Sequence, residues 1–165
     1  VIKDVTQTVV ETVEEPEKII KPYTSEAVRI KTHFYDVNAS AVDQEQSLIY
    51  FQDTYMKNPG VLYQADETFD CVAVLNGTDL NIKEDDILGN VVEIEHTSNL
   101  RTIYYSLGEV NVQVGEVLSQ GDIIGTSGEN NITDSASNLL FEVYYNGTLL
   151  NPEEFYLMSV QDLNE

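Results

Sequence analysis

Gly89-Asn-Val-Val-Glu-Ile-Glu-His96 and Thr102-Ile-Tyr-Tyr-Ser-Leu107 carry the clearest structural signal in this sequence. In the first segment, Val92, Ile94 and His96 fall on one face of an extended chain, and the residues between them fall on the other. This alternation with a period of two is typical of a half-buried β-strand. The second segment is rich in β-branched and aromatic residues, which favour strands. We therefore predict a strand in each segment.

Short segments of the same kind recur on both sides of this stretch. They lie at Val28–Thr32, Ser47–Asp53, Asp70–Leu75, Leu80–Lys83, Val110–Val114, Gly121–Gly125 and Leu139–Tyr145. Glycines separate many of them and indicate turns. No segment shows convincing helical periodicity. The sequence therefore predicts an all-β fold, a small β-sandwich or open barrel, preceded by an extended N-terminal segment.

The composition excludes several classes of function. The chain has 165 residues, enough for one domain with a real core. Lys and Arg total 8 against 29 Asp and Glu, which gives a formal net charge of -21. A surface this acidic repels nucleic-acid phosphates and disfavours docking on anionic lipid. No segment approaches the roughly 20 apolar residues of a membrane-spanning helix.

The N-terminal segment differs in composition from the rest of the chain. It is rich in Thr, Val and Glu, it carries Pro16 and Pro22, and its β-branched residues are poor helix formers. We predict a linker over residues 1–22, a folded domain over residues 23–158 and a C-terminal tail over residues 159–165.

The residues able to do nucleophilic or metal chemistry are few. Cys71 is the one cysteine, and its apolar setting beside Asp70 indicates a buried structural thiol instead of a nucleophile. The two histidines, His33 and His96, each lack a second ligand at motif spacing, so we expect local hydrogen bonds and not zinc binding. The segment Gly121–Gly128 lacks the lysine of a phosphate-binding loop. We expect its glycines to allow tight turns.

Several segments, taken in order, resemble the LytM-type peptidases of family M23. The two segments quoted first resemble the middle of that domain, as does Val114–Gly128. Leu139-Leu-Phe-Glu-Val143 and Asn151-Pro152 match its closing strand and end. The resemblance covers residues 58–156. It implies a small β-sheet domain with a groove, in which family members use zinc to cut peptidoglycan cross-links.

The family's catalytic pattern falls on residues that cannot perform the reaction. Its first zinc histidine and its zinc aspartate correspond to Asn58 and Leu62, and its last zinc histidine to Leu140. The two catalytic histidines correspond to Ser106 and Asn138. Leucine has no lone pairs for a metal, and neither Ser nor Asn replaces imidazole as a proton carrier. The resemblance thus implies no zinc, no other cofactor and no enzymatic activity; the alternative is an enzyme with displaced catalytic residues.

The upstream part resembles one branch of this family more narrowly. Lys21-Pro22-Tyr23, Val28–Asp36 and Gln46–Tyr55 are similar to the ectodomains of the stage II sporulation protein Q family. That resemblance implies a non-catalytic domain outside the cytoplasm, anchored in the forespore membrane by a helix before residue 1 and facing the intermembrane space. It implies stage III sporulation protein AH as the partner, in a channel that could include a ring oligomer.

Two questions stay open at the level of sequence. Partner contact is predicted at tyrosine-rich strands, since Tyr is enriched in interfaces. The candidate residues are Ile103, Tyr104, Tyr105, Tyr144 and Tyr145. A partner strand would pair with the edge of a hairpin over Leu100–Val114 that turns at Gly108; the alternative is that these tyrosines are core residues. The alternative functions are peptidoglycan binding and activation of a separate amidase.

Overall fold

The computed structural model describes residues 18–97 and 99–163. The strands are β1 (Arg29–Thr32), β2 (Leu48–Phe51), β3 (Thr54–Lys57), β4 (Val61–Gln64), β5 (Asp70–Val72), β6 (Gly77–Asp85), β7 (Gly89–Glu95), β8 (Leu100–Val110), β9 (Val117–Leu118), β10 (Ile123–Ser127), β11 (Asn138–Tyr145) and β12 (Thr148–Leu150). The helices are α1 (Ala41–Gln46), α2 (Pro152–Phe155) and α3 (Val160–Leu163). None of these helices is long and apolar enough to cross a membrane.

One large antiparallel sheet organises the domain. Its strands follow the order β1-β4-β11-β8-β7-β6-β9, with β12 beside β11, and β10 linking β8 to β5. β2 and β3 form a separate two-stranded sheet. The large sheet is not a closed barrel, because β1 and β9 end the order without pairing with each other. The predicted all-β class is confirmed.

The core lies on one face of this sheet, where the predicted alternation holds. Val92 and Ile94 are fully buried, and so are Tyr104 on β8 and Phe141 on β11. The Tyr104 and Phe141 rings meet edge to face, with their centroids 5.1 Å apart. Burying rings of this size supplies much of the apolar driving force for folding.

The predicted turn at Gly108 is wrong, because β8 runs without a break from Leu100 to Val110. A Cβ on Gly108 would lie 2.8 Å from the carbonyl oxygen of Ser127, so the glycine allows β10 to approach β8 closely. Gly125 has the same role, since a Cβ there would overlap the carbonyl oxygen of Glu109. The turn role expected of glycines in this region holds at Gly121, with φ +90°.

The predicted strand over Ser47–Asp53 is half of a hairpin. It is β2, and the chain returns as β3 after a two-residue turn at Gln52 and Asp53, both with positive φ. The short helix α1 precedes it and was not predicted from the sequence pattern. Its N-cap is Ser40, whose side chain accepts a hydrogen bond from the Asp43 backbone N–H.

The domain extends past both predicted boundaries. Residues 1–17 of the predicted linker lie outside the described residues. Ile19, however, belongs to the core and is 7% exposed, and the backbone N–H of Ile20 donates to the Val74 carbonyl. At the other end, Lys18 bridges to Ser159 and Leu163 is buried in the same core, where the sequence predicts a tail. Local composition does not show these contacts because their partners are distant in sequence.

Candidate functional site

The second face of the sheet holds the positions that correspond to the family's zinc ligands. Leu62 on β4 lies directly opposite Leu140 on β11, which lies opposite Tyr105 on β8. Both leucines are 2% exposed, yet neither belongs to the main core cluster. Because neighbours directly across a ladder share a face, these three side chains are adjacent. The pair that would hold a metal in an active relative is here an apolar contact.

Asn58 stands where the first zinc histidine is expected, and its side chain makes three internal hydrogen bonds. Its Nδ2 donates to the carbonyl oxygens of Thr32 at 3.0 Å and His33 at 3.2 Å. Its Oδ1 accepts from the Gly60 N–H at 3.1 Å. Asn58 is 1% exposed. It therefore ties β1 to the start of β4, with both donors and one of the two acceptor positions of its amide used within the protein.

Asn138 replaces a catalytic histidine and is equally committed. Its Oδ1 accepts from Gln64 Nε2 at 2.9 Å and from Thr133 Oγ1 at 3.0 Å. Its Nδ2 donates to the carbonyls of Gly128 at 3.0 Å and Ser135 at 2.7 Å. All four hydrogen-bonding positions of the amide are therefore used within the protein. The side chain holds the 128–138 loop against β4.

Ser106 replaces the other catalytic histidine and adopts a left-handed backbone, with φ +72°. Its Oγ donates to the Leu88 carbonyl at 2.8 Å and accepts from Asn130 Nδ2 at 2.9 Å. No sequence motif indicates that Asn130 takes part, because the two residues are 24 positions apart. A non-glycine residue at positive φ stores strain that its surroundings must hold. Here the two hydrogen bonds hold it.

The five replaced positions cannot hydrolyse a peptide. In the described ranges, no three His, Cys, Asp or Glu side chains are grouped closely enough to hold a metal ion. The polar groups of Asn58, Ser106 and Asn138 point into internal hydrogen bonds, and the leucines offer no lone pairs. Nothing at these positions can acidify a water or carry a proton to a leaving group. The domain keeps the architecture of a hydrolase without its chemistry.

A polar cluster adjoins the leucines on the same face. Tyr105 Oη donates to Glu142 Oε1 at 3.0 Å, and Glu142 is 4% exposed. Burial raises the pKa of the Glu142 carboxyl, and the hydrogen bond from Tyr105 partly offsets that increase. Burial and the nearby Glu142 carboxylate both raise the pKa of Tyr105. The tyrosine therefore stays a neutral donor across the physiological range.

Farther along this face, charged and aromatic side chains meet. Arg101 pairs with Glu93 at 2.8 Å, and its guanidinium lies over the Tyr144 ring, 5.9 Å from the centroid. The register places Ile103 opposite both Glu93 and Glu142. Ile103, Tyr105 and Tyr144 are partly exposed. Together with Arg101 they form a continuous, partly apolar surface, which we call the groove face.

The structure separates the predicted contact residues into two groups. Ile103, Tyr105 and Tyr144 lie on the groove face. Tyr104 lies on the opposite face, fully buried, and its hydroxyl donates to the Val72 carbonyl at 2.7 Å. Tyr145 packs against the core, and its hydroxyl donates to the Leu163 carbonyl at 2.7 Å. Tyr104 is thus a core residue, as the alternative hypothesis states.

The predicted pairing of a partner strand with the Leu100–Val114 hairpin is also wrong. β8 is an interior strand, paired with β7 on one side and with β11 and β10 on the other. Its backbone groups are used by these neighbours, so β8 offers no free edge. The sequence misplaced the edge because strand order depends on pairings between distant segments.

The prediction of a buried thiol at Cys71 is confirmed, and both histidines make hydrogen bonds, although the partner of His33 is 120 positions away in the sequence. Cys71 is fully buried, and burial raises the pKa of its thiol. His96 is 6% exposed; its Nδ1 donates to the Asn76 carbonyl and its Nε2 accepts from Thr102 Oγ1, both at 2.8 Å. Burial lowers the pKa of His96 to about 4. His33 is exposed and its Nδ1 lies 2.8 Å from Glu153.

Comparison with known proteins agrees with this geometry. The chain is 37% identical over 134 residues to stage II sporulation protein Q of Bacillus subtilis (strain 168). This alignment covers 79% of this chain and 47% of that protein. The chain thus spans about half the length of this curated relative. A chain in the structure of the SpoIIQ–SpoIIIAH pore-forming complex matches with a TM-score of 0.84 and 33% identity, covering 90% of this chain and 97% of that one.

A second structure of a SpoIIIAH and SpoIIQ complex matches with a TM-score of 0.79 and 34% identity, over 84% of this chain and 99% of that one. A zinc-containing peptidase from Vibrio cholerae shares the fold alone, with a TM-score of 0.64 at 19% identity over 82% of this chain and 39% of that one. The model of peptidase family M23 matches residues 56–152, more than half of the sequence. The chain belongs to peptidase family M23, as a degenerate and non-catalytic member.

Proposed function

We propose that this domain is a protein-binding module that acts outside the cytoplasm of a sporulating bacterium and binds a SpoIIIAH-type ectodomain. The similarity to a chain of the SpoIIQ–SpoIIIAH complex extends over 90% of this chain, well beyond the segment matched by the M23 family model. The proposed location is the forespore membrane, with the domain facing the intermembrane space. The domain would act there as one component of a channel assembled with its partner.

The observation that carries this proposal is that side chains unable to bind zinc occupy the positions of the family's zinc site. Leu62 and Leu140 are packed against each other, and the amide of Asn138 makes four internal hydrogen bonds. Such a site is stable without a ligand. Its leucines have no polar groups and the amide of Asn138 is already hydrogen-bonded, so these residues have no free polar group for a peptidoglycan peptide. What stays partly exposed beside it is the groove face, with Ile103, Tyr105 and Tyr144. Partly exposed aromatic and apolar side chains beside an arginine are the composition of a binding hot spot.

The test is a titration of the domain against the SpoIIIAH ectodomain, and separately against soluble muropeptides. We expect saturable binding to the ectodomain and none to muropeptides. Tyr144→Ala and Ile103→Asp should each weaken that binding by about tenfold or more, as expected for hot-spot residues. Leu157→Ala is the matched control, because Leu157 is 87% exposed and lies outside the groove face.

Two results would contradict parts of this proposal. Absence of binding by the parent domain would overturn the partner assignment. Binding by the parent that neither groove-face substitution weakens would move the contact to another surface. Circular dichroism of each variant would exclude loss of folding as the cause of weaker binding.

A further inference from the structure

The β2–β3 hairpin, residues 48–57, forms a sheet separate from the large one, and we call it the arm. It forms its own two-stranded sheet with four residue pairs. At the base of the arm, the Asn58 N–H donates to the Ser47 carbonyl at 3.1 Å. Asn58 is the residue that corresponds to the family's first zinc histidine. Ile49 is 5% exposed, so one face of the arm is covered. The arm therefore starts beside the family's former active site.

The other face of the arm presents aromatic side chains to solvent. Tyr50 and Tyr55 lie opposite each other with ring centroids 5.0 Å apart, and they are 52% and 67% exposed. All four residues of β3 are exposed, including Met56. A two-stranded hairpin is marginal in water unless it packs on something. Exposed aromatic clusters of this kind mark interaction surfaces.

The turn of the arm is held in an unfavourable conformation. Gln52 and Asp53 have φ of +49° and +61°, a pair of left-handed residues that usually requires Asn and Gly. The Tyr50 hydroxyl donates to Asp53 Oδ1 at 2.6 Å and fixes this turn. Strain that the surrounding contacts preserve is a common feature of binding segments. The arm is thus pre-organised, which lowers the entropic cost of binding.

The arm also has a free backbone edge. In a hairpin with a two-residue turn, Phe51 and Thr54 exchange ladder hydrogen bonds, and so do Ile49 and Met56. The backbone N–H and C=O of Tyr55 therefore point away from β2. Within residues 18–97 and 99–163, no strand pairs with this outer side of β3. An extended partner segment could satisfy these groups by strand addition.

Charge selects the kind of segment that fits. The region from residue 36 to residue 57 carries Asp36, Asp43, Glu45 and Asp53 against one cation, Lys57. With a formal net charge of -21, a second copy of this chain would be repelled. A cationic side chain is attracted both by the carboxylates and by the tyrosine rings. Lys57 already shows this geometry, with its Nζ 5.0 Å from the centroid of the Tyr35 ring.

We propose that the arm binds an extended segment of the partner protein bearing Lys or Arg, which pairs with the outer edge of β3 and places a cation on the Tyr50–Tyr55 rings. This inference rests on the proposed function and adds to it a contact surface distinct from the groove face. The arm ends at Lys57, five residues before Leu62, and Leu62 is linked to Tyr105 of the groove face through its ladder neighbour Leu140. One partner could therefore contact both surfaces.

The experiment compares variants of the arm in titrations with the SpoIIIAH ectodomain. Tyr55→Ala removes the aromatic ring, and we expect affinity to fall by about tenfold or more. Tyr55→Pro also removes the outward N–H without removing a ladder bond, so its affinity should fall further than that of Tyr55→Ala. Glu45→Lys should weaken binding severalfold, while Glu154→Lys on α2 is the matched charge control and should change it little.

The outcomes separate this inference from the proposed function. If the parent does not bind, the proposed function fails, and the assignment of the arm to this partner fails with it. If the parent binds, and Tyr55→Ala and Tyr55→Pro each bind as tightly as the parent, the arm is not the contact and the proposed function stands. If Tyr55→Ala and Tyr55→Pro lose the same affinity, strand addition is overturned and only the aromatic contact remains. Equal effects of Glu45→Lys and Glu154→Lys would overturn the cationic nature of the segment.

Discussion

His96 shows how a single residue on a predicted strand acquires a defined state only in the folded protein. The sequence places it at the end of the strand containing Val92 and Ile94 and predicts a local hydrogen bond. In the fold, its two nitrogens bond Asn76 and Thr102, which fixes the neutral tautomer with the proton on Nδ1. Glu95 and Arg101 line the cavity beside it. The ring is nevertheless held neutral by burial, which is the largest cause of its lowered pKa.

The lowered pKa of His96 predicts a loss of stability in acid. The unfolded histidine titrates near 6.5 and the folded one near 4, so the unfolded state binds the proton first. The contribution is complete above pH 6.5 and is lost as pH falls from 6.5 toward 4. Its size is about 3 kcal/mol at 1.36 kcal/mol per pKa unit. We expect the free energy of unfolding in urea to fall by about that amount across this range.

A substitution isolates this effect from the titrating carboxylates. His96→Gln has no ionisable side chain, so its unfolding free energy should lack the histidine part of the decrease between pH 6.5 and pH 4. The difference between the two curves is the relevant measurement, because other groups contribute to both. Parallel curves for the two proteins would show that the pKa of His96 is the same in the folded and unfolded states.

At the scale of elements, the N-terminal segment shows the limit of composition as a guide. Residues 18–22 fall within the predicted linker, which is rich in Thr, Val and Glu before them, yet Ile19 is part of the core. Gln120 Nε2 donates to the Val74 carbonyl, which also receives the N–H of Ile20. Lys18 also forms an isolated β-bridge with Ser159, which is 141 positions away in the sequence. This segment closes the domain.

The substitution Ile19→Ala tests whether this closure stabilises the fold. Removing a buried isoleucine side chain from a core costs about 2–4 kcal/mol, because apolar contacts are lost and a cavity remains. The melting temperature should fall by several degrees, as measured by circular dichroism or calorimetry. Lys21→Ala is the control, since Lys21 is exposed in the same segment. If both variants melt with the parent, the segment is only a linker.

At the scale of the whole molecule, the sheet carries two different faces. One face holds the core, with Tyr104 and Phe141, and the other holds the leucines at the former zinc positions. Replacing metal ligands by apolar residues removes the need to assemble charged groups in a buried site, which is costly without the metal. The scaffold can thus remain stable while its surface takes up another role. The chain as a whole carries a formal net charge of -21.

That charge predicts how the proposed partner associates. A strongly acidic surface attracts a basic one over distances comparable to the screening length, which is about 10 Å at 0.1 M salt and 3 Å at 1 M. We expect the association rate with the SpoIIIAH ectodomain to fall by about tenfold or more between low salt and 1 M salt. The dissociation rate should change much less. Stopped-flow fluorescence would measure both, and an association rate insensitive to salt would show that charge does not steer the encounter.

The sequence by itself determined the fold class, the family and the absence of catalysis. Alternation at Val92 and Ile94 is a local pattern with a period of two, and it survives folding because it states which side chains must be buried. The leucines at positions 62 and 140 exclude a zinc site whatever the tertiary structure, because the limitation is chemical. The buried state of Cys71 followed in the same way from its apolar neighbours.

Only the tertiary structure decided which surfaces are free. Tyr104 and Tyr105 are adjacent in sequence and equally aromatic, yet one is core and the other lies on the groove face. Their assignment depends on the register of β8 against β7 and β11, and a shift of one residue would exchange the two faces. The interior position of β8, the isolated arm around Tyr55 and the burial of Ile19 depend likewise on pairings between distant segments. Such pairings are set by the whole sheet and leave no mark in the local sequence.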